Sequence, residues 1–337
     1  MSDSLPYVRD VGFGSRSTSF ARGTGTAAGY SEHTQWTRYQ EFFPGGLRIR
    51  QREAPEERWW SWRGVPIHLD IVRRPHAAGK LLVLHGIGGY GRMLAPYSRL
   101  PTLTDLEYLA PDLPGHGLSS AGFRITYLGW VHCVLDLIEA ERARDGRPVV
   151  LFGIGTGGWL AYQVAARIPH HVAALLTTGL ADPRTEEVRQ GLVANPGAGV
   201  LSGIFAGVPL IPPVHDVPLR WLLDVTAVSN HARFAAAFTA DGLGGARRIQ
   251  LELFRSYLRL PPAVPPERFT SPPVLLAVPE EDRWIPGEHS RRFFARLGAP
   301  KRSVPLTRSG HLPTEESGLT QLDRSVRDFF EEFDIPH

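Results

Sequence analysis

The chain has a single cysteine, Cys133, in 337 residues. One cysteine excludes a disulfide framework within the chain and leaves no thiolate cluster for a metal. Cys133 falls in an apolar-periodic stretch, which predicts a small buried hydrophobe rather than a reactive thiol. No run of about 18 apolar residues occurs, so no membrane span is expected. The N-terminus lacks a basic segment followed by an apolar core, so no secretion signal is expected and the cytoplasm is the expected compartment. Charge of one sign is scarce too: 37 Lys and Arg face 34 Asp and Glu, a net +3. Arginine far outnumbers lysine, yet no long basic run exists, so nucleic-acid binding is not indicated. None of the 13 histidines falls in a His-Glu-x-x-His spacing. No metal and no cofactor are therefore expected.

What is present is an ordinary globular composition, 42% hydrophobic and 21% charged, with length enough for one large α/β domain carrying an insertion. Residues 1–47, rich in Gly, Ser, Thr and Arg, show no period and read as an extended, partly disordered arm. "ERWWSWRGVPIHLDIVRR" reads as a hairpin about Gly64 and Val65. Short apolar runs then alternate with helical patterns: "KLLVLHG", "LEYLAP", "YLGWVHCVLDLIEAERAR", "PVVLFG", "GGWLAYQVAARI", "HVAALLTTG". Such alternation predicts a mostly parallel sheet with helices on both faces. It spans residues 48–179. Residues 180–268 break it and read as a mostly helical insertion, with helices in "RFAAAFTADG" and "RRIQLELFRSYLRL". The alternation resumes over 269–337 with "PVLLAVP", a helix, "KRSVPL" and a last helix from about Thr320 to Phe333.

Four motifs carry chemistry. His85-Gly86-Ile87-Gly88-Gly89 follows a buried strand, and glycines there free backbone N–H groups to face an anion. "DLPGHGLSS" (Asp112 to Ser120) is by itself only a turn. Gly153-Ile154-Gly155-Thr156-Gly157 joins a buried strand to a helix through a tight turn, as the Gly-x-Ser-x-Gly nucleophile elbow does. A dinucleotide fingerprint fits less well, because the stretch lies late in the chain and no acid follows about 20 residues on. "PEEDRWIP" places Asp282 just past a buried strand, with Glu280 and Glu281 reading as surface acids. "SGHLPTEE" places His311 after the next strand.

Elbow, acid, histidine is the order of an α/β-hydrolase. Over residues 58–333 the chain resembles the α/β-hydrolase superfamily, in the branch with lysophospholipases, esterases and proline iminopeptidases. The resemblance rests on "HGIGG", "DLPGHGLS", "GIGTGG", "PEEDRWIP" and "SGHLPTEE" in order. It implies that residues 180–268 form a cap. It implies that the N–H groups of Ile87 and Thr156 form an oxyanion hole, and that Asp282 orients His311. Gly86, Gly88 and Trp159 would contact substrate, the Thr156 side chain would point elsewhere, and Ser119 and Ser120 would stabilise a turn.

The departure is Gly155, which stands where the family has its serine. Glycine forms no acyl-enzyme, and losing the serine of a triad costs about a millionfold in turnover. The fold does not suffer, because glycine accepts φ > 0 more readily than serine does. On the second of three readings, the vacated space holds a water on which His311 acts as base. Three readings stand open. The leading one is an ester or acyl hydrolase whose nucleophile is missing. The second is a non-covalent enzyme using His311 and Asp282 for water activation, elimination or isomerisation. The third is a ligand-binding pseudoenzyme. Phe205, Leu210, Ile211, Trp221, Leu222, Leu223, Phe234 and Phe238 suit a small apolar or aromatic ligand, although most read equally as core. The oligomeric state is open.

Overall fold

The computed structural model describes residues 20–22, 29–122, 124–192 and 215–337. Nine strands form its central sheet: β1 (Phe20–Arg22), β2 (Glu56–Trp62), β3 (Val65–Val72), β4 (Lys80–Leu84), β5 (Glu107–Pro111), β6 (Val149–Gly153), β7 (Val172–Thr177), β10 (Val274–Pro279) and β11 (Lys301–Leu306). Their order is β1-β2-β3-β5-β4-β6-β7-β10-β11. β1, β2 and β3 run antiparallel to their neighbours, and the strands from β5 to β11 are parallel. β4, β6 and β10 are buried at every position, as continuous apolar strands covered on both faces must be.

The connecting helices are α1 (Tyr127–Asp145), α2 (Gly157–Ala165), α6 (Gly287–Ala295) and α7 (Glu316–Glu332). α1 starts where Thr126 accepts the Gly129 N–H and stops at Gly146, which takes a left-handed φ of 73°. Cys133, on α1, is buried as expected. β5 and β6 flank β4 on opposite sides, so the order reverses there. The loops leaving β4 and β6 part at their carboxyl ends, where an α/β sheet opens a crevice.

The insertion holds α3 (Glu186–Leu192), α4 (Ala232–Ala240) and α5 (Leu251–Tyr257). One expected helix there is shorter than its pattern. Arg248–Gln250 is a strand, β9, paired antiparallel with β8 (Asp216–Pro218) before α5 begins. The stretch "NPGAGVLSGIFAGVPLIPP", with Phe205, Leu210 and Ile211, lies outside the described residues.

Residues 29–47, read from sequence as part of an arm, pack into the core. Tyr30, Trp36 and Tyr39 are fully buried. Residues Thr34–Phe42 form a 3-10 helix. Its aromatics Trp36, Tyr39 and Phe42 are spaced by three, the period of that helix, which a search for 2 or 3.6 misses. Tyr39 and Phe42 both pack on Phe234 of α4, at 4.8 and 5.3 Å between ring centres. Residues 1–19 and 23–28 of the expected arm lie outside the described residues.

Buried Asp241 joins this segment to the insertion and to the loop after β4. Its Oδ2 accepts the Tyr39 hydroxyl at 2.6 Å and the Tyr90 hydroxyl at 2.8 Å. Tyr39→Phe leaves this carboxylate short of one partner. Its expected cost is about 1.5–3 kcal/mol, the worth of a hydrogen bond to a charged group, read by urea unfolding against the parent chain.

Candidate active site

β6 ends at Gly153 and α2 begins at Gly157. Between them Gly155 takes φ 55°, a conformation that most L-residues avoid. Its N–H donates to Thr178 Oγ1 at 2.8 Å. A Cβ at Gly157 would lie 2.2 Å from the Leu84 carbonyl oxygen, and one at Gly158 would lie 1.9 Å from that of Gly179. The start of α2 therefore sits flush against the ends of β4 and β7.

Asp282 lies on the loop after β10. Its Oδ1 accepts the N–H groups of Trp284 and Ile285 at 2.8 and 2.9 Å. These two bonds fix the carboxylate and leave Oδ2 for His311 Nδ1, at 2.9 Å. His311 follows β11, is buried, and rests edge-on against the Trp284 ring, 4.8 Å between centres. With Nδ1–H donating to Asp282, Nε2 carries the lone pair. Nε2 faces Gly155, and a Cβ built there would lie only 2.3 Å away. The imidazole occupies the room that a serine side chain needs. One of the three sequence readings placed a water in that room; in this geometry the ring edge occupies it. Glu280 and Glu281 are exposed, as expected.

The loop after β4 is held by a reciprocal pair of histidines. His85 Nδ1–H donates to the Gly86 carbonyl at 2.8 Å, and its Nε2 accepts the Leu113 N–H at 3.0 Å. His116 Nε2 accepts the Gly88 N–H at 3.1 Å. Each motif thus supplies a histidine to the other's backbone, and Asp112 Oδ1 adds a third tie by accepting the Gly91 N–H at 2.7 Å. Gly88 takes φ 89°, and a Cβ there would meet Leu219 of the insertion at 2.6 Å. Its missing side chain lets the insertion close down on the loop. The Ile87 N–H donates to Thr156 Oγ1 at 3.2 Å. The Thr156 side chain is thus turned toward this loop.

Gly155, Thr156, Trp159, Asp282 and His311 line one small cavity, together with Tyr257, Ile285 and Ser290. Its volume of about 10 Å³ is near the least that holds one water. Trp159 also packs on Tyr162 and Phe293. Leu222, Leu223, Phe234 and Phe238 are buried, whereas Trp221 is exposed and so is not part of an enclosed lining. Ser119 serves the turn as expected, donating to the Asp112 carbonyl and accepting the His68 N–H.

The profile of the Alpha/beta hydrolase family matches residues 81–322, more than half of the chain. The chain belongs to the alpha/beta hydrolase family. It is 32% identical to Lipase LipV of Mycobacterium tuberculosis over 167 residues, 45% of this chain and 61% of that protein. It is 32% identical to Proline iminopeptidase PfmaB of Pestalotiopsis fici over 117 residues, 34% of this chain and 40% of that protein. The chain thus spans less than two thirds of either relative's length. Among solved structures, a soluble variant of monoglyceride lipase from Saccharomyces cerevisiae in complex with a substrate analogue is similar in fold. Its TM-score is 0.67 at 13% identity, covering 86% of this chain and 98% of that one. Among the described residues no helix is long and apolar enough to cross a membrane, and no group of three or more potential metal ligands occurs.

The structure brings together Gly155, Asp282 and His311, named from the sequence patterns, and sets the Ile87 N–H on Thr156, named from the resemblance, whereas the contacts of His85, His116, Tyr90 and Asp241 were not read from the sequence. The signal for the first two was present, a histidine beside glycine in each motif, yet their pairing is a contact across 28 residues. Burial pushes His85 down to about 4 and His116 well below its ordinary value, so both clasp histidines stay neutral at pH 7.

A sign follows for acid stability. The unfolded chain protonates His85 near pH 6.5, while the folded chain resists until about pH 4. In that window the unfolded state binds more protons, so stability falls as pH falls from about 6.5 to 4. The His85 share is about 3 kcal/mol at most. Urea unfolding at pH 7 and pH 4.5 should show this loss, and His85→Asn should flatten the slope between the two pH values, whatever its effect at pH 7.

Proposed function

We propose that this chain carries an ester- or acyl-type site for a small apolar ligand, in which Asp282 and His311 act as a general-base pair and no covalent intermediate forms. One observation carries the reading. The Asp282–His311 pair is fully oriented, at 2.9 Å, yet Nε2 faces a glycine at which a Cβ would lie 2.3 Å away. An oriented base that faces no side chain acts on what enters the site. When a ligand draws the ring back from Gly155, Nε2 takes a proton from water. The hydroxide adds to the carbonyl carbon, and the N–H groups of Ile87 and Thr156 receive the oxyanion. The imidazolium then returns the proton to the leaving oxygen as the bond to it breaks. The apolar surroundings of Trp159, Tyr257 and Ile285 favour an aryl or short acyl group. The two relatives, named as a lipase and a proline iminopeptidase, support the ester or acyl class.

The crowding also bears on the other readings. A latent serine enzyme awaiting its side chain needs the same withdrawal of the His311 ring from Gly155. A binding protein without turnover is favoured by the small cavity, but has no use for an Asp282 carboxylate held by two N–H groups and aimed at Nδ1.

Without a nucleophile, a rate of about a thousandfold over water is the expected scale. The parent chain should hydrolyse p-nitrophenyl acetate at that level, His311→Ala should abolish it, and a fluorophosphonate probe should leave the parent unlabelled. If Gly155→Ser labels rapidly and turns over more than about a hundredfold faster than the parent, the chain is instead a serine hydrolase lacking one side chain. Turnover in neither chain identifies a binding protein.

A further inference from the structure

We infer that the Thr156 hydroxyl is a third hydrogen-bond donor to the oxygen of a bound carbonyl or tetrahedral anion, held there by the Ile87 N–H. The inference rests on the reading of this site as an ester or acyl site. Thr156 is buried and lines the cavity that Gly155 and His311 share. Its Oγ1 accepts the Ile87 N–H at 3.2 Å, so the hydroxyl lies at one of the two backbone groups expected to receive an oxyanion. The loop is shaped to admit it: a Cβ at Gly86 would lie 1.9 Å from Oγ1, so every residue but glycine at 86 would displace the hydroxyl.

A hydroxyl has one proton and accepts through its oxygen. Here the oxygen is engaged by Ile87, and no hydrogen bond among the described residues uses the hydroxyl proton. The proton is therefore available to a ligand. An O–H whose oxygen already accepts a bond is polarised to donate more strongly. β-Branching holds the side chain to few rotamers, so little freedom is lost when it donates. The hydroxyl forms no covalent bond in this role. It adds a donor beside the Thr156 N–H and the Ile87 N–H, the latter then shared as a three-centre bond between Oγ1 and the ligand oxygen, and it suits ligands that carry negative charge on oxygen over neutral ones.

The test is calorimetric binding of two probes to the full chain: the methyl phenylphosphonate monoanion and neutral methyl phenyl sulfone. The variants are Thr156→Val, Thr156→Ala and Thr156→Ser. The expected result is a loss of about 10- to 100-fold in phosphonate affinity for Val and Ala. Sulfone affinity should be nearly unchanged, and Ser should restore phosphonate binding. Alanine keeps the test open if valine disturbs the packing at Gly86. Phosphonate binding by Val and Ala equal to or tighter than the parent's overturns the inference, because the hydroxyl then merely fills the hole. Equal loss of both probes overturns it too, making Thr156 a packing residue. A parent chain that binds neither probe overturns the underlying reading of the site, and the inference with it.

Discussion

The fully buried carboxylate of Asp112 is the point at which the segments around the crevice meet. It accepts the Tyr30 hydroxyl at 2.7 Å, the Gly91 N–H at 2.7 Å and the Leu118 N–H at 2.9 Å. His68 Nδ1 lies 3.1 Å away, as a charge contact without hydrogen-bond alignment. Burial by itself disfavours a charged imidazole, but Asp112, Glu57 and Asp70 outweigh it and hold His68 up at about 10. Burial likewise works against the Asp112 anion, and His68 with the Leu118 N–H and the Tyr30 hydroxyl keeps its carboxyl below the ordinary range. Either charge alone would be costly here, because a buried ion is tolerated only when paired and hydrogen-bonded. Four stretches of chain are tied by this one group: the N-terminal segment, β3, the loop after β4 and the turn after β5.

From that junction the order extends to the crevice. The loop after β4 is fixed by Asp112 at Gly91 and by His116 at Gly88, and its own His85 returns a tie to Leu113. The insertion closes over it through Leu219 and Asp241. Geometry on the other side comes from β10 and β11, which deliver Asp282 and His311 to Gly155 from separate loops. At the opposite end of the sheet, Lys80, Glu107, Glu141, Arg147 and Asp145 form an ion-pair cluster among the strand starts. It holds the scaffold where no chemistry is needed.

The site is filled by the chain's own groups. Imidazole stands where a serine would stand, and a threonine hydroxyl stands on the Ile87 N–H. Both arrangements depend on the absence of a Cβ, at Gly155 and Gly86 respectively. A single methyl at either place would force a neighbour to move, since interiors pack without slack. Glycine at 155 therefore affects more than the identity of the nucleophile: it sets where His311 rests.

The sequence by itself determined the alternating strands and helices, the elbow at Gly155 and the succession of Asp282 and His311. Those features are written in short-range patterns: apolar runs, helical spacing, glycines at turns and residues at strand ends. Burial of Cys133 and exposure of Glu280 and Glu281 follow from the same patterns. The packing of residues 29–47 was hidden because its aromatics repeat every three residues. The short strand at Arg248–Gln250 was hidden because its partner lies some thirty residues away and pairing outweighed local helical spacing. Only the tertiary structure decided that His85 and His116 hold each other's loops, that Tyr39 and Tyr90 share Asp241, that Nε2 crowds Gly155 and that Thr156 reaches the Ile87 N–H. Each is a contact between residues far apart in sequence, fixed to tenths of an ångström by how strands and loops stack, and no local pattern carries distances of that kind.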